Sequence, residues 1–157
     1  MKKVLIALDY DPAAQKIAEV GYSLAQAMKA EVTLIHVVSD FGYYSSIEHA
    51  PMGFIGYIDT YPNEMDIIES LKNVGQDFLD KSKLHLADNT IKTIVTDGDF
   101  ATSILATAKE LDINVIVMGS HGRKWLQAII MGSVTEKVLH HTSIPLFIIP
   151  TSQKNKL

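Results

Sequence analysis

There is no cysteine among the 157 residues, which excludes thiol catalysis, thiolate metal centres and a disulfide framework. Basic residues are outnumbered, with 14 Lys and Arg against 18 Asp and Glu and a net charge of −4. A polyphosphate chain asks for a broad basic face, so nucleic acid is a poor partner, whereas one nucleotide needs only a local cationic or amide-rich pocket. Long apolar runs are missing as well. After Met1-Lys2-Lys3 the run from Val4 to Leu8 stops at Asp9, too short for a signal peptide. Nothing approaches the ~20 apolar residues of a membrane helix. The expectation is a soluble, cytoplasmic protein with neither membrane nor nucleic acid as partner.

What is present describes an ordinary folded domain, with 47% hydrophobic and 20% charged residues. A chain of this length buries roughly 70% of its unfolded surface and needs no covalent staple. One domain is expected over 1–150, followed by a polar tail over 151–157. Five runs rich in Val, Ile and Leu read as strands: Lys3–Leu8, Glu31–Val38, Ile91–Thr96, Asn114–Met118 and Leu146–Ile149. Between them, apolar residues recur at spacings of three and four: Ile17, Val20, Leu24 and Met28, then Ile67, Leu71, Val74 and Phe78, then Ile104, Ala108 and Leu111. Asp11-Pro12 reads as a helix start, and Ser133 with Glu136 as a capping box opening a short last helix. The alternation of strands and helices, with right-handed crossovers, predicts an α/β fold built on an open doubly wound five-stranded parallel sheet, helices on both faces. Ligands then bind beyond the carboxyl ends of the strands where the winding reverses.

One stretch breaks the rhythm. Residues 39–62 hold half of the chain's Phe, Tyr and Trp together with three glycines and two prolines, and show no sustained period. Such a long loop is either an ordered lid or interface segment or a mobile insertion.

The chemistry concentrates in Met118-Gly119-Ser120-His121-Gly122-Arg123-Lys124, with Gly132-Ser133 following after a further stretch. Each glycine alone reads equally as a turn or a helix cap. Together, however, glycines at a strand end let backbone approach a ligand, and Gly132-Ser133 puts amides at a helix start, where phosphate is favoured. From Ile113 to Thr135 there is no acidic residue, while Arg123 and Lys124 make the segment locally cationic.

The pattern G-x2-G-x9-G-S formed by Gly119, Gly122, Gly132 and Ser133 resembles the ATP-binding motif of universal stress proteins. Val115 to Gly122, Gly132 to Glu136, His140-His141 leading into Ile144 to Ile149, Val4 to Asp9 and Leu34 to Val38 are similar to the family as well. The resemblance covers nearly the whole chain except the aromatic segment. It implies the strand order 3-2-1-4-5. It also implies that Asp9 and the backbone of Val37 face an adenosine, while Gly119, Gly122, Gly132, Ser133 and Val134 surround ribose and phosphates. Arg123 suits phosphate, and Met118 and Gly98, at strand ends, are secondary pocket candidates. Mg²⁺ bridging ATP phosphates through Asp9 is an option that one carboxylate supports weakly. One departure stands out: where the family often has Gly-Ser after the first aspartate, this chain has Tyr10-Asp11, whose bulk and charge are expected to bear on nucleotide preference.

The S-G-G-x-D-S loop of pyrophosphatases, the H-x-G-H signature of adenylyl-transferring enzymes, the Walker loop and G-x-G-x-x-G are all absent. Adjacent His140 and His141 point in different directions on a helix, a poor metal pair better suited to a C-terminal cap. His121 either touches phosphate or packs its loop, and His36 reads as a core histidine. Three functions are compatible with these residues: an ATP-binding stress-response regulator, a slow ATPase or nucleotide-processing enzyme, and an interaction module whose pocket is empty or takes another ligand. The regulator fits best, because no general base accompanies the phosphate loop. Leu146, Phe147, Ile148 and Ile149 form a short apolar strand bracketed by Pro145 and Pro150. At a sheet edge this strand would pair with its own copy in a homodimer, as in many universal stress proteins.

Overall fold

Alternating buried strands and amphipathic helices assemble as the patterning requires. The computed structural model describes residues 1–39, 64–120 and 132–151, and the structural statements below concern those. In chain order the elements are β1 (Lys3–Ala7), α1 (Ala14–Ala27), β2 (Glu31–Val38), α2 (Glu64–Leu86), β3 (Lys92–Asp97), α3 (Phe100–Glu110), β4 (Val115–Gly119), α4 (Ser133–His141) and β5 (Leu146–Ile149). All five strands are parallel in the order β3-β2-β1-β4-β5, the expected topology. The three central strands β2, β1 and β4 bury both faces because helices cover both. Val4, Ile6, Leu34 and Val117 pack with Ile17 and Ala18 of α1 and Leu79 of α2. Leu5, Ile35, Ile116 and Met118 pack with Ile104 and Ala108 of α3 and Val138 of α4. The helices therefore change face between β1 and β4, and this is the switch point of the winding.

Several local expectations change. Val20 is exposed, while Ile17, Leu24 and Met28 pack on the core as expected, joined by Ala14, Ala18, Gly21 and Ala25. Small residues serve there because the helix lies close on the sheet. Asp11 does not cap the helix itself; its Oδ1 accepts from the Ala13 amide at 2.7 Å and its carbonyl from Ala14 at 2.9 Å, forming a turn ahead of the first helical residue. The capping box of Ser133 and Glu136 is not made, because Gly132 occupies the N-cap and Ser133 is already inside the helix. Three helices end on left-handed residues other than glycine. Lys29, Ala87 and Asp112 take left-handed conformations at φ 52°, 53° and 54°. After α1, Ala30 donates to the Ala25 carbonyl at 2.9 Å and Lys29 to Gln26 at 3.0 Å, and the same pair of bonds recurs after α3 at Ile113 and Asp112. The aromatic segment, apart from Ser39, and the tail beyond Thr151 lie outside the described residues.

Candidate functional site

Parallel strands end with unspent backbone groups on one edge of the sheet, and here those ends are adjacent at the switch point. Ala7 pairs with Ile35 in register, so two residues on Asp9 faces Val37 across neighbouring strand ends. On the other side Ile6 pairs with Val117, bringing Met118 and Gly119 beside the end of β1. Alternation sets the directions of the side chains. Val37 and Met118 are buried with Leu5 on the α3 and α4 face, and Asp9, in step with Leu5 and Ala7, belongs to that face, where it is half-buried. The Asp9 carboxylate accepts the Tyr10 amide at 2.8 Å through Oδ1, and the Asp9 carbonyl accepts from Asp11 at 2.8 Å.

The start of α4 is tied to the end of β4. The Gly132 amide donates to the Ser120 carbonyl at 2.6 Å, and the buried Thr135 hydroxyl donates to the Gly119 carbonyl at 2.9 Å. The first bond closes the chain between 120 and 132, holding both ends of the glycine-bearing segment at the sheet edge. Within a helix the first-turn amides have no intrahelical acceptor, so those of Ser133, Val134 and Thr135 form a positive end beside β4. Ser120 also donates its amide to the Ile149 carbonyl at 2.9 Å and accepts the Thr151 amide on its hydroxyl at 3.1 Å, which joins this edge to the exit of β5. Thr135 and Thr151 escaped the sequence reading, and Ser120 was named only as part of the glycine-bearing stretch. A β-branched hydroxyl in a helix's first turn, one turn before buried Val138, was the available signal for Thr135.

Not every candidate glycine serves the site through its missing side chain. A β-carbon on Gly119 would stand 2.6 Å from Cδ1 of Ile17 and 2.9 Å from Cγ2 of Thr151, so any side chain there would have to displace those two. Gly98, with φ 124°, turns the chain at the end of β3 and donates to the Val38 carbonyl at 3.0 Å. Next to it Asp99 caps α3, accepting the Thr102 amide at 2.9 Å and Lys137 Nζ at 2.9 Å. Hydrogen bonds from Thr102, then Lys137, hold its carboxyl down at about 2. The acid groups at this corner are thus engaged, Asp97 by Lys72 and Asp99 by Lys137. Gly122, Arg123, Lys124 and His121 lie outside the described residues.

The adjacent histidines of α4 point to different sides of the helix. His141 Nδ1 donates to the Lys137 carbonyl at 2.8 Å and so caps α4, while His140 stands 3.7 Å from Glu136 on another side of the helix. Among the described residues no three His, Asp or Glu side chains converge to hold a metal ion, and no helix is long and apolar enough to cross a membrane. Tyr10 does not occupy the mouth of the site. It is buried on the opposite face of the sheet with Val38 and Leu71.

Comparison with known proteins decides the family, since the profile of the universal stress protein family matches residues 1–150. The chain belongs to that family. It is 30% identical over 153 residues to universal stress protein YxiE of Bacillus subtilis, covering 94% of this chain and 97% of that protein. Among solved structures, universal stress protein UspA of Lactobacillus plantarum superposes with a TM-score of 0.72 at 22% identity, covering 94% of this chain and 97% of that one. More distant universal stress proteins share the fold. One was solved in complex with cAMP, at a TM-score of 0.61 and 15% identity, covering 96% of this chain and 98% of that one. Another, from Archaeoglobus fulgidus, was solved with dAMP, at 0.58 and 16%, covering 95% of this chain and 98% of that one.

In this universal stress protein, burial holds the His36 imidazole below its ordinary value of 6.5, keeping the ring neutral in the fold. Because the folded value lies below the unfolded one, the stability this group supports is complete above pH 6.5 and declines as pH falls beneath it. Urea unfolding between pH 7 and pH 5 should show stability dropping by no more than about 1.4 kcal/mol per pH unit from this one proton. His36→Asn should flatten that slope; an unchanged slope would assign it to other groups.

Proposed function

We propose that this universal stress protein binds an adenine nucleotide, ATP foremost, at the β1 and β4 ends, and acts as a nucleotide-dependent regulator in the cytoplasmic stress response. The observation that carries the reading is the start of α4 held against β4 by the Gly132 and Thr135 bonds, beside the Asp9–Val37 pair. An adenine ring suits the apolar strand ends of Val37 and Met118, where backbone groups supply its hydrogen bonds, and Asp9 suits ribose hydroxyls. Phosphates suit the amides of Gly132, Ser133 and Val134, with Gly119, Gly122 and Arg123 completing the motif. Exposed Ser133, inside the first turn, offers a hydroxyl at that end. Asp9 is the carboxylate at hand for Mg²⁺, which ATP phosphates would otherwise hold themselves. The complexes of family members with cAMP and with dAMP support an adenine-nucleotide ligand class.

Titration calorimetry with ATP tests this directly. Wild type should bind, Gly122→Val should lose binding while folded, and Ser133→Ala should weaken it by roughly 0.5–1.5 kcal/mol. A folded wild type with no heat of binding for ATP, ADP or AMP would contradict the reading. Steady release of ADP during the titration would favour the slow ATPase instead.

The same reading includes a homodimer through β5. Both sheet edges are open strands, but β3 is guarded by Lys92, paired with Glu31, and Asp97, paired with Lys72. The other edge, β5, carries only Leu146, Phe147, Ile148 and Ile149, with Phe147 39% exposed. Antiparallel pairing with its own copy would satisfy the edge amides and cover Phe147. Light scattering at tens of micromolar should give a dimer for wild type and a folded monomer for Phe147→Asp. A monomeric wild type removes this part of the reading.

A further inference from the structure

Behind the site, on the α1 and α2 face, lies a histidine that the nucleotide contacts do not use. His36 is 1% exposed, one residue before Val37 on β2. The regular pairing of β1 with β2 ends at Ala7, and Leu8 continues it, its amide donating to the Ile35 carbonyl at 2.9 Å. The next backbone acceptor, the Leu8 carbonyl, lies 2.9 Å from His36 Nδ1. A carbonyl only accepts, so Nδ1 carries the proton, and Nε2 of the neutral ring is left as a lone pair. Among the described residues no hydrogen-bond partner meets that Nε2. The ring is fixed on several sides. The Tyr10 ring lies 4.5 Å from it, that of Phe78 from α2 lies 5.5 Å away, and Tyr10 and Phe78 meet edge to face at 5.0 Å. A β-carbon on Gly75 would stand 2.8 Å from His36 Cδ2, so the helix backbone itself closes the box.

We propose that His36 is a positioning residue for the nucleoside end of the site, clamping the Leu8 carbonyl, and Tyr10 with it, so that Asp9 between them is held toward the ligand. Leu8 and Tyr10 are drawn to the rear face, and strand alternation then turns Asp9 to the front, opposite Val37. Both residues assigned to adenosine are thus one position from the clamp, Asp9 after Leu8 and Val37 after His36. Tyr10 adds an aromatic anchor to the segment that carries Asp9. Neutrality matters to the device, since a second ring proton would face an apolar box, and burial opposes it.

The inference rests on the nucleotide reading above, and the experiment separates the two. Adenosine and pyrophosphate are titrated separately into wild type, His36→Phe and His36→Asn. Phe keeps the ring and removes the donor, whereas the Asn side-chain amide stands where Nδ1 stood. His36→Phe should bind adenosine about tenfold more weakly with pyrophosphate affinity unchanged, and His36→Asn should recover to within about threefold of wild type. Equal adenosine affinity in wild type and folded His36→Phe overturns the positioning role. A wild type that binds neither adenosine nor ATP overturns the nucleotide reading beneath it. Unaltered protein supplies a check should His36→Phe fail to fold. Nitrogen-detected NMR should show the His36 Nδ1–H resonance shifting on saturation with adenosine and staying still with pyrophosphate. No shift with bound adenosine refutes the proposal.

Discussion

Two hydrogen bonds at the end of β4, Gly132 to the Ser120 carbonyl and Thr135 to the Gly119 carbonyl, set the geometry on which the candidate site depends. A parallel strand leaves the sheet with acceptors still to satisfy, and the start of α4 satisfies them here. The consequence is positional. The helix end that favours anions is fixed beside the strand that neighbours β1, where the crossovers change face. The same short stretch also reaches β5, through the Ser120 amide and hydroxyl. Site and sheet edge are therefore built from one continuous set of backbone and hydroxyl hydrogen bonds.

Alternation along β1 and β2 divides labour between the two faces of the sheet. Val37 and Asp9 belong to the face of α3 and α4, whereas His36, Tyr10 and Phe78 pack on the other. This makes sense of an otherwise costly choice, a histidine with one ring nitrogen unbonded in the core. An aliphatic residue at position 36 would pack as well, yet it would leave the Leu8 carbonyl without that donor. The buried ring is thus tied to strand geometry rather than to solvent chemistry.

Strand positions were legible because buried strands read as runs rich in Val, Ile and Leu, whereas the strand order came from the family resemblance. Local caps were not. Ser133 and Glu136 have capping-box spacing, but Gly132 takes the cap, and which of the two adjacent residues does so depends on how the preceding segment closes. Helix ends at Lys29, Ala87 and Asp112 hide because the left-handed residue is not glycine in any of them. Gly119 was legible as special, but the reason visible in the structure, the side chain of Ile17, comes from a helix about a hundred residues earlier in the chain. Long-range contacts of this kind leave no trace in local spacing. The place of Tyr10 was hidden for the same cause, since only the arrival of α2 over β2 shows that the ring turns away from the ligand side.

The proposed nucleotide site lies on the carboxyl edge of the sheet, between the ends of β1 and β2 and the start of α4. Amide shift mapping with ATP on isotopically labelled protein tests it most directly. The account predicts the largest shifts at Asp9, Val37, Gly119, Ser120, Ser133 and Val134, with Lys3, Glu31 and Asn114 at the opposite edge unmoved. Shifts concentrated at that opposite edge, or along β3, would contradict it.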